Sequence, residues 1–525
     1  MKELKTKKKV DIDVPITATS VGLIFIFVAF MVVKPTTTLN AINAAFDFTT
    51  TWLGSFMLVF LFAVLMVNAF FVFSKYGDIK LGEGEPEYSM GSYIAMMALA
   101  ALASAALFWS FTEWANYYMD PPLGLEPFSR EAAELSLGYS FFHWGLATQS
   151  LYVVVGTAIA YAYYVKKVPL MRVSTVCEAM MGNYKHKKLL GKIIDVVCIF
   201  GIVGGLGCTL GLAVPLISGA LVRVFGIEIN FAIQVTIVLV IAAIFTFTSF
   251  IGTDKGMKNL SNFSAGLCIL FLIYEFIVGP TEFIMKNTVN SIGLMLNNYP
   301  RMSLFTDPIA NGGFPEAWTI YFWAFALNYT ALMGVFVAKI SKGRTIRELT
   351  LSCLFGVTAG VVFLFAINGS FAIHSEITGK VFVTEAVARG QGETAIYQIM
   401  NLIPGGVLLP IIYMIMAVGF VASSLDAASL SLAQTTTKSL DESGDTHPIQ
   451  RVFWCIILTL VPLSVMFAKA DFSALKTVSI VVSVPFMFVV IFMGVVLIKW
   501  FKQHEEHYMN EDISAKDGSA KNVAG

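Results

Sequence analysis

Twelve apolar stretches, each long enough to cross the roughly 30 Å hydrocarbon layer of a bilayer, decide what this chain can become. They run near residues 16–33, 52–73, 92–118, 139–165, 189–222, 231–251, 262–284, 316–338, 350–373, 404–434, 452–468 and 473–499. Lipid offers no partners to backbone N–H and C=O groups, and each stretch far exceeds the roughly 9–11 residues of a barrel strand, so the reading is all-α with twelve transmembrane helices. Only 13% of the 525 residues are charged, against about 25% in an ordinary soluble domain. A soluble enzyme and a disordered chain are thereby excluded. The 35 Lys+Arg balance the 35 Asp+Glu, leaving no basic excess for a nucleic-acid partner.

Direction follows from the distribution of Lys and Arg in short loops. With the N-terminus inside, inner loops hold Lys75 and Lys80, then Lys166, Lys167, Arg172, Lys185, Lys187 and Lys188, and later Lys255, Lys258, Lys339, Lys342, Arg344 and Arg347. Outer loops are poorer, with Lys34, Arg130, Arg223, Lys286 and Arg301 among them. An even number of spans returns the tail to the same side, so both termini are expected in the cytoplasm. The basic start (MKELKTKKK) precedes an apolar run too long for a signal-peptide core and is followed by no A-x-A site, which reads as a first span. Residues 285–300 and 383–402 mix apolar and polar positions and are expected to lie in the outer interface. The tail after Lys502 is polar and expected to be mobile. The six cysteines show neither CxxC nor His-paired metal spacing and read as buried small hydrophobes.

Strongly polar groups at membrane depth are candidates for function. They are Glu113, Asp195, Glu275 and Asp426. Hydroxyls crowd around Asp426 in Val421–Ser431 (VASSLDAASLS), and hydroxyl oxygens suit a hard cation; helix packing is the alternative. Gly201–Gly211 (GIVGGLGCTLG) holds GxxxG spacings inside a span and reads as close helix packing, not a dinucleotide loop. Aromatics form the second class: Trp109 and Trp114 near Glu113, Trp144 and Tyr152 on the next span, and Trp323, Phe325 and Tyr329 beyond Pro315. A cation lacking N–H donors can be held only by ring faces and carboxylates. A membrane enzyme built on His143 and a buried carboxylate such as Asp195 is the remote alternative.

The segment Ala317–Leu349 (AWTIYFWAFALNYTALMGVFVAKISKGRTIREL) resembles the signature of the betaine/choline/carnitine transporter family, with its tryptophan-rich start and A-R-I-S-R-G-R-T-I-R-E ending. Pro121–Pro127 (PPLGLEP), Phe142–Gly145 (FHWG) and Tyr299–Pro315 are similar to the family too, the outer segments most to its carnitine/γ-butyrobetaine exchangers. The resemblance implies a secondary active transporter, not an enzyme, in the bacterial inner (plasma) membrane. It implies a ten-helix inverted-repeat (5+5) core over residues 92–500, with two extra helices in 16–91 and cytoplasmic tails at 1–15 and 501–525. The third and eighth spans would be broken or bent around a midplane site, and the chains would form homotrimers through the outer helix.

Carried over residue by residue, the family's aromatic box meets Trp144, Tyr152 and Tyr329. A second tryptophan of the fourth span is Gln149, the adjacent pair of the eighth span is Phe325 and Ala326, and the third-span tyrosine is Asn116. Met333 belongs to the same solute-facing set, and Trp109 and Trp114 are candidate extra walls. For sodium, Ser423, Ser424 and Phe420 match one site, with carbonyls near Leu99 and Leu102. Ser264 stands where the sodium-independent exchangers carry an arginine. The second sodium site is lost: Ile202 and Leu206 replace its threonines, facing Leu332 and Met333. Ala101, Ala103 and Ala105 occupy glycine positions of the third span, implying a more regular helix there. The expectation is transport of a betaine- or carnitine-like zwitterion with one sodium ion and no other cofactor. A non-quaternary zwitterion (glycine, a methylated glycine or taurine), proton coupling and sodium-free exchange stay open. A reporter active only in the cytoplasm is expected to work when fused at Gly525 and to fail when inserted after Arg301.

Overall fold

An apolar run in lipid must pair every backbone group within itself, and the chain does so by helices. The computed structural model describes residues 11–100, 104–251, 258–438, 446–468 and 473–523. Among these there is no named strand, only two isolated bridges, Ile12 with Thr437 and Lys80 with Thr345. Helices α1 (Val14–Val33) and α2 (Pro35–Phe73) precede α3 (Met90–Ala100) and α4 (Ser104–Met119). The fourth span is α5 (Arg130–Trp144) and α6 (Leu146–Ala160); a short α7 (Val173–Met180) leads into α8 (Lys187–Phe225), α9 (Phe231–Ile251) and α10 (Lys258–Val278). After α11 (Thr281–Ser303) come α12 (Ile320–Ile340), α13 (Ile346–Leu351) and α14 (Thr358–Ile377). Short helices α15 (Val383–Ala388) and α16 (Gly392–Met400) lead to α17 (Leu408–Thr435), α18 (Pro448–Phe467) and α19 (Ser473–Val523).

Eleven helical stretches among the described residues are long and apolar enough to span. The third run is carried by α3 and α4 on either side of residues 101–103, so Ala101, Leu102 and Ala103 lie outside the described residues. Ala105 is fully buried on α4.

Packing after α2 repeats with a period of five spans. α6 pairs most extensively with α12 (fourth with eighth), and α3 and α4 pair with α14 and the turn before it (third with ninth). α8 packs on α17 and α9 on α18, while the α8–α19 contact has its counterpart in α17–α10. Five crossings is an odd number, so the second set runs through the membrane in the opposite sense, which is the inverted-repeat core.

One local expectation needs correction. The eighth span is continuous from Ile320 to Ile340, and its irregularity is a wide π turn at Pro315–Thr319 before it. The pronounced break lies in the fourth span instead, at Gly145, where a β-carbon would sit 2.4 Å from the Phe141 carbonyl oxygen. The polar tail continues α19 as helix to Val523. The amphipathic outer segments do form helices, α11 and α15–α16.

The KISKGRTIREL signature is a latch between two loops on the face where the chain begins. Gly343 turns with φ +77°, and its N–H donates to Leu81 O at 2.9 Å. Thr345 and Glu348 form a reciprocal cap that starts α13. Arg344 lies 4.6 Å over the Tyr93 ring, and Arg347 donates to Val72 O at 2.8 Å and pairs with Asp78. The α6–α12 seam is closed by opposed glycines: a β-carbon on Gly156 would lie 2.7 Å from Val337 Cγ1, and one on Gly334 2.6 Å from Val155 Cγ1. Gly334→Val is expected to destabilise by about 1–3 kcal/mol through overpacking, read as a lower melting temperature. Gly293→Ala, on exposed α11 with nothing within 4 Å, is the neutral control.

Candidate functional site

Glu113 on α4 is fully buried and organises the centre. Trp144 Nε1 donates to its Oε2 at 2.6 Å, and Tyr117 OH donates to its Oε1 at 2.8 Å. His143 Nδ1 lies 2.8 Å from the same tyrosine hydroxyl and 3.8 Å from Glu113 Oε1. The other ring nitrogen of His143 bonds Thr319 Oγ1 at 3.1 Å, at the mouth of α12. One carboxyl therefore ties the third, fourth and eighth spans together at the break in the fourth. Gln149 bridges that break, its Nε2 donating to Trp144 O at 2.9 Å.

Ring contacts bring several expected residues into one arc. Trp144 meets Phe325 at 6.3 Å between centroids, and Phe325 meets Tyr329 at 5.0 Å. Trp144 also contacts Phe322 at 5.5 Å and Phe365 at 5.4 Å. Trp109 joins through Phe322 (6.4 Å) and Trp318 (5.9 Å). Tyr329 is half-buried, its hydroxyl at Thr209 Oγ1, with Gly201 and Gly205 of α8 abutting Asn328 and Tyr329. The GxxxG reading as helix packing therefore holds at this seam.

Other expected residues stand apart from the arc. Trp114 is buried, donates to Phe111 O at 2.8 Å and packs on Tyr118. Asn116 turns its amide back onto Thr112 O and Glu113 O. Tyr152 lies two turns from Trp144, in electrostatic reach of Cys353. Ala326 is buried in α12, and Met333 is half-buried one turn beyond Tyr329. Trp323 faces Phe142 and His143 instead. Sequence reasoning missed Tyr117, Thr319, Phe322 and Phe365. Tyr117 had a signal, four residues after Glu113 and so on the same helix face; Phe365 had none.

For the ion, Phe420 is buried and Ser423 and Ser424 are half-buried on α17. Ser264 of α10 abuts Gly419, the residue before Phe420 on α17. Leu99 is in α3, and Leu102 is outside the described residues. Asp426 turns elsewhere, accepting from Ser249 of α9, whose hydroxyl lies 2.7 Å from Ser429 Oγ. Asp195 pairs with Arg172, whereas His143 bonds Tyr117 and Thr319, so the two do not form the expected dyad among the described residues.

A cavity of about 510 Å³ opens on the face where the chain begins, between Tyr164, Asp195, Lys339 and Gln434, and ends at Ile202 and Ala331. Lys339 to Ala331 spans about 12 Å of helix, which brings the cavity floor to within a turn of Tyr329. At the other end rings close the path: Trp318 and Phe314 lie 5.3 and 5.5 Å from Tyr117, and Phe314 lies 5.3 Å from Tyr139. The centre is thus approachable from one face and plugged from the other.

A repeat-built helical bundle with a central polar and aromatic site, open to one side, defines a membrane carrier. Residues 15–506 match the family described as BCCT, betaine/carnitine/choline family transporter. A protein named carnitine transporter from Acinetobacter baumannii is 35% identical over 495 residues, covering 94% of this chain and 90% of the relative. The uncharacterized transporter YeaV of Escherichia coli is 36% identical over 444 residues, 83% of this chain and 92% of the relative. A solved structure titled as the substrate-bound outward-open state of a Na+-coupled sialic acid symporter aligns with TM-score 0.44 at 15% identity, covering 83% of this chain and 85% of that one. The chain belongs to the betaine/carnitine/choline transporter family and is a transporter, not an enzyme.

Glu113→Leu removes the acceptor of Trp144 Nε1 and Tyr117 OH, and each orphaned buried donor is expected to cost about 1–3 kcal/mol. Glu113→Gln keeps the volume and one acceptor and should lose less. Thermal melting followed by tryptophan fluorescence checks the order.

Proposed function

We propose that the chain moves a carnitine-like quaternary ammonium zwitterion by alternating access, together with one sodium ion. The observation that carries this is the arc of Trp144, Phe322, Phe325 and Tyr329 set beside the Glu113 carboxyl, with Tyr329 within a turn of the cavity floor at Ala331. A trimethylammonium group has no N–H to donate, so ring faces with a carboxylate behind them are its natural partners. The relative named carnitine transporter, similar over nearly the whole chain, supports the same solute class. Sodium is assigned to Ser423, Ser424 and carbonyls of the third span near Leu99 and Leu102, with Phe420 alongside and Ser264 leaving room where a fixed cation would exclude the ion. We assign both termini to the cytoplasm from the charge pattern, and α11, with Met285, Val289 and Leu296 exposed, to the contact of a homotrimer.

The buried Ala326 in the seam and the hydrogen-bonding Gln149 favour a second reading, a smaller zwitterion able to donate hydrogen bonds. Ligand-induced thermal stabilisation of the purified protein separates the two. Carnitine, γ-butyrobetaine, glycine betaine, glycine and taurine are each tried with and without sodium. The expected result is a shift with carnitine that grows with sodium and falls in Ser424→Ala. Trp144→Leu should weaken binding by about 2- to 30-fold, from roughly 0.5–2 kcal/mol of lost cation–π energy. Stabilisation by glycine or taurine alone would sink the carnitine reading, and indifference to sodium would remove the ion.

A further inference from the structure

The α10–α17 seam carries Ser264 at one end and a carboxyl with no assigned role at the other. Glu275 stands in the last turn of α10, 1% exposed, and its Oε2 is buried without a hydrogen-bond partner. No charged side chain acts on it among the described residues. The elements packed on α10 are α17, α14 and α11. From α17 the titratable neighbour is Tyr413, and on α10 itself it is Cys268. From α14 comes Phe371, against Gly279, and at the start of α11 is Thr281, whose hydroxyl bonds Phe276 O at 2.6 Å. None of these is a cation.

A carboxylate stripped of water and left unpaired in an apolar interior is far more costly than the neutral acid. Its position at a helix C-terminus, with Gly279 N donating to Glu275 O at 2.9 Å, adds the negative end of the helix dipole. The seam therefore closes around a proton, not around a bare charge.

Tyr413, the titratable neighbour of Glu275, is bonded toward the site. Tyr413 is fully buried, and its hydroxyl donates to Leu107 O of α4 at 2.8 Å. Ser110 donates to the same carbonyl at 2.9 Å and accepts from Asn368 of α14 at 2.8 Å. This polar string joins α17, α4 and α14 beside Glu275, and it meets α4 two residues before Trp109. Toward the plugged face, Tyr397 of α16 lies 6.5 Å from the Tyr413 ring and in reach of Glu393, a half-buried surface carboxyl. Burial raises the Glu393 pKa above the ordinary value.

We propose that Glu275 is a proton-binding site of the transport cycle. It holds a proton while α10, α17 and α4 are packed together. When the seam opens to water at the plugged face, the O–H bond breaks, the proton passes to water and the carboxylate is hydrated; closing reverses the exchange. The proton is separate from the sodium ion, which would sit near Ser264, about 16 Å away along α10.

The first test needs no solute. Infrared pH-difference spectra of the purified full chain should show a neutral-carboxyl band near pH 7 that is missing in Glu275→Gln and displaced in Glu275→Asp. The second uses proteoliposomes with a trapped pH dye and carnitine as the probe, and so rests on the solute reading above. Wild-type uptake should move protons and change by about 5- to 100-fold between mildly acid and mildly alkaline medium. Glu275→Gln should bind carnitine, read by tryptophan fluorescence, with a flat pH profile and no proton signal. Tyr413→Phe should shift the profile and keep its amplitude. A wild type without the carboxyl band overturns the proposal, as does a Glu275→Gln profile that overlays the wild type. Should Glu275→Gln fail to fold, the displacement or persistence of the band in Glu275→Asp decides. A wild type that shows the band but binds no carnitine indicts the solute reading instead.

Discussion

The centre of this transporter depends on one buried carboxyl. Glu113 receives the indole N–H of Trp144 and the hydroxyl of Tyr117, and through Tyr117 it fixes His143 and then Thr319. Burying a carboxyl is unfavourable unless its lone pairs are used. Here they are used by donors from the helices whose relative position defines the site. The fourth span breaks beside Trp144, so the indole is held by hydrogen bonds and ring contacts more than by a regular helix.

Around that centre the packing divides into close and loose seams. Opposed Gly156 and Gly334 bring α6 and α12 together backbone to backbone, and Gly201 and Gly205 do the same for α8 against Asn328 and Tyr329. Without a hydrophobic driving force between helices in lipid, such contacts supply the dispersion energy that holds a bundle. The α10–α17 seam is different in kind. It carries polar groups along its length, Ser264 against Gly419 and Glu275 near Tyr413, which is where bound ions or protons can bias one arrangement over another.

Much of the architecture was legible from residues alone, because lipid forces helices and an apolar run announces its own length. The latch of KISKGRTIREL was legible as a signature, although its work was not. Arg344 on Tyr93 and Arg347 on Asp78 join loops more than two hundred residues apart, and no local pattern encodes that. Glu113 and Trp144 were legible as candidates because buried carboxyls are few at membrane depth and the chain has only 8 tryptophans. Trp114 was singled out by the same rule and sits elsewhere, since one hundred degrees per residue separates the faces on which Glu113 and Trp114 stand. Phe322 and Phe365 were hidden among 44 phenylalanines.

The sequence by itself determined that the chain is a bundle of membrane-spanning helices, the family it belongs to, and which residues stand in its signature positions. Those follow from composition, run length and short exact motifs, which survive without knowing any long-range contact. Only the tertiary structure decided that the fourth span breaks beside Trp144, that Glu113 joins three spans, that Asp195 belongs to Arg172, and that Glu275 stands without a counter-charge among the described residues. Each is a question of which side chain lies opposite which across a seam. That is settled by helix rotation and crossing, which a hydropathy pattern nearly uniform around each helix leaves open.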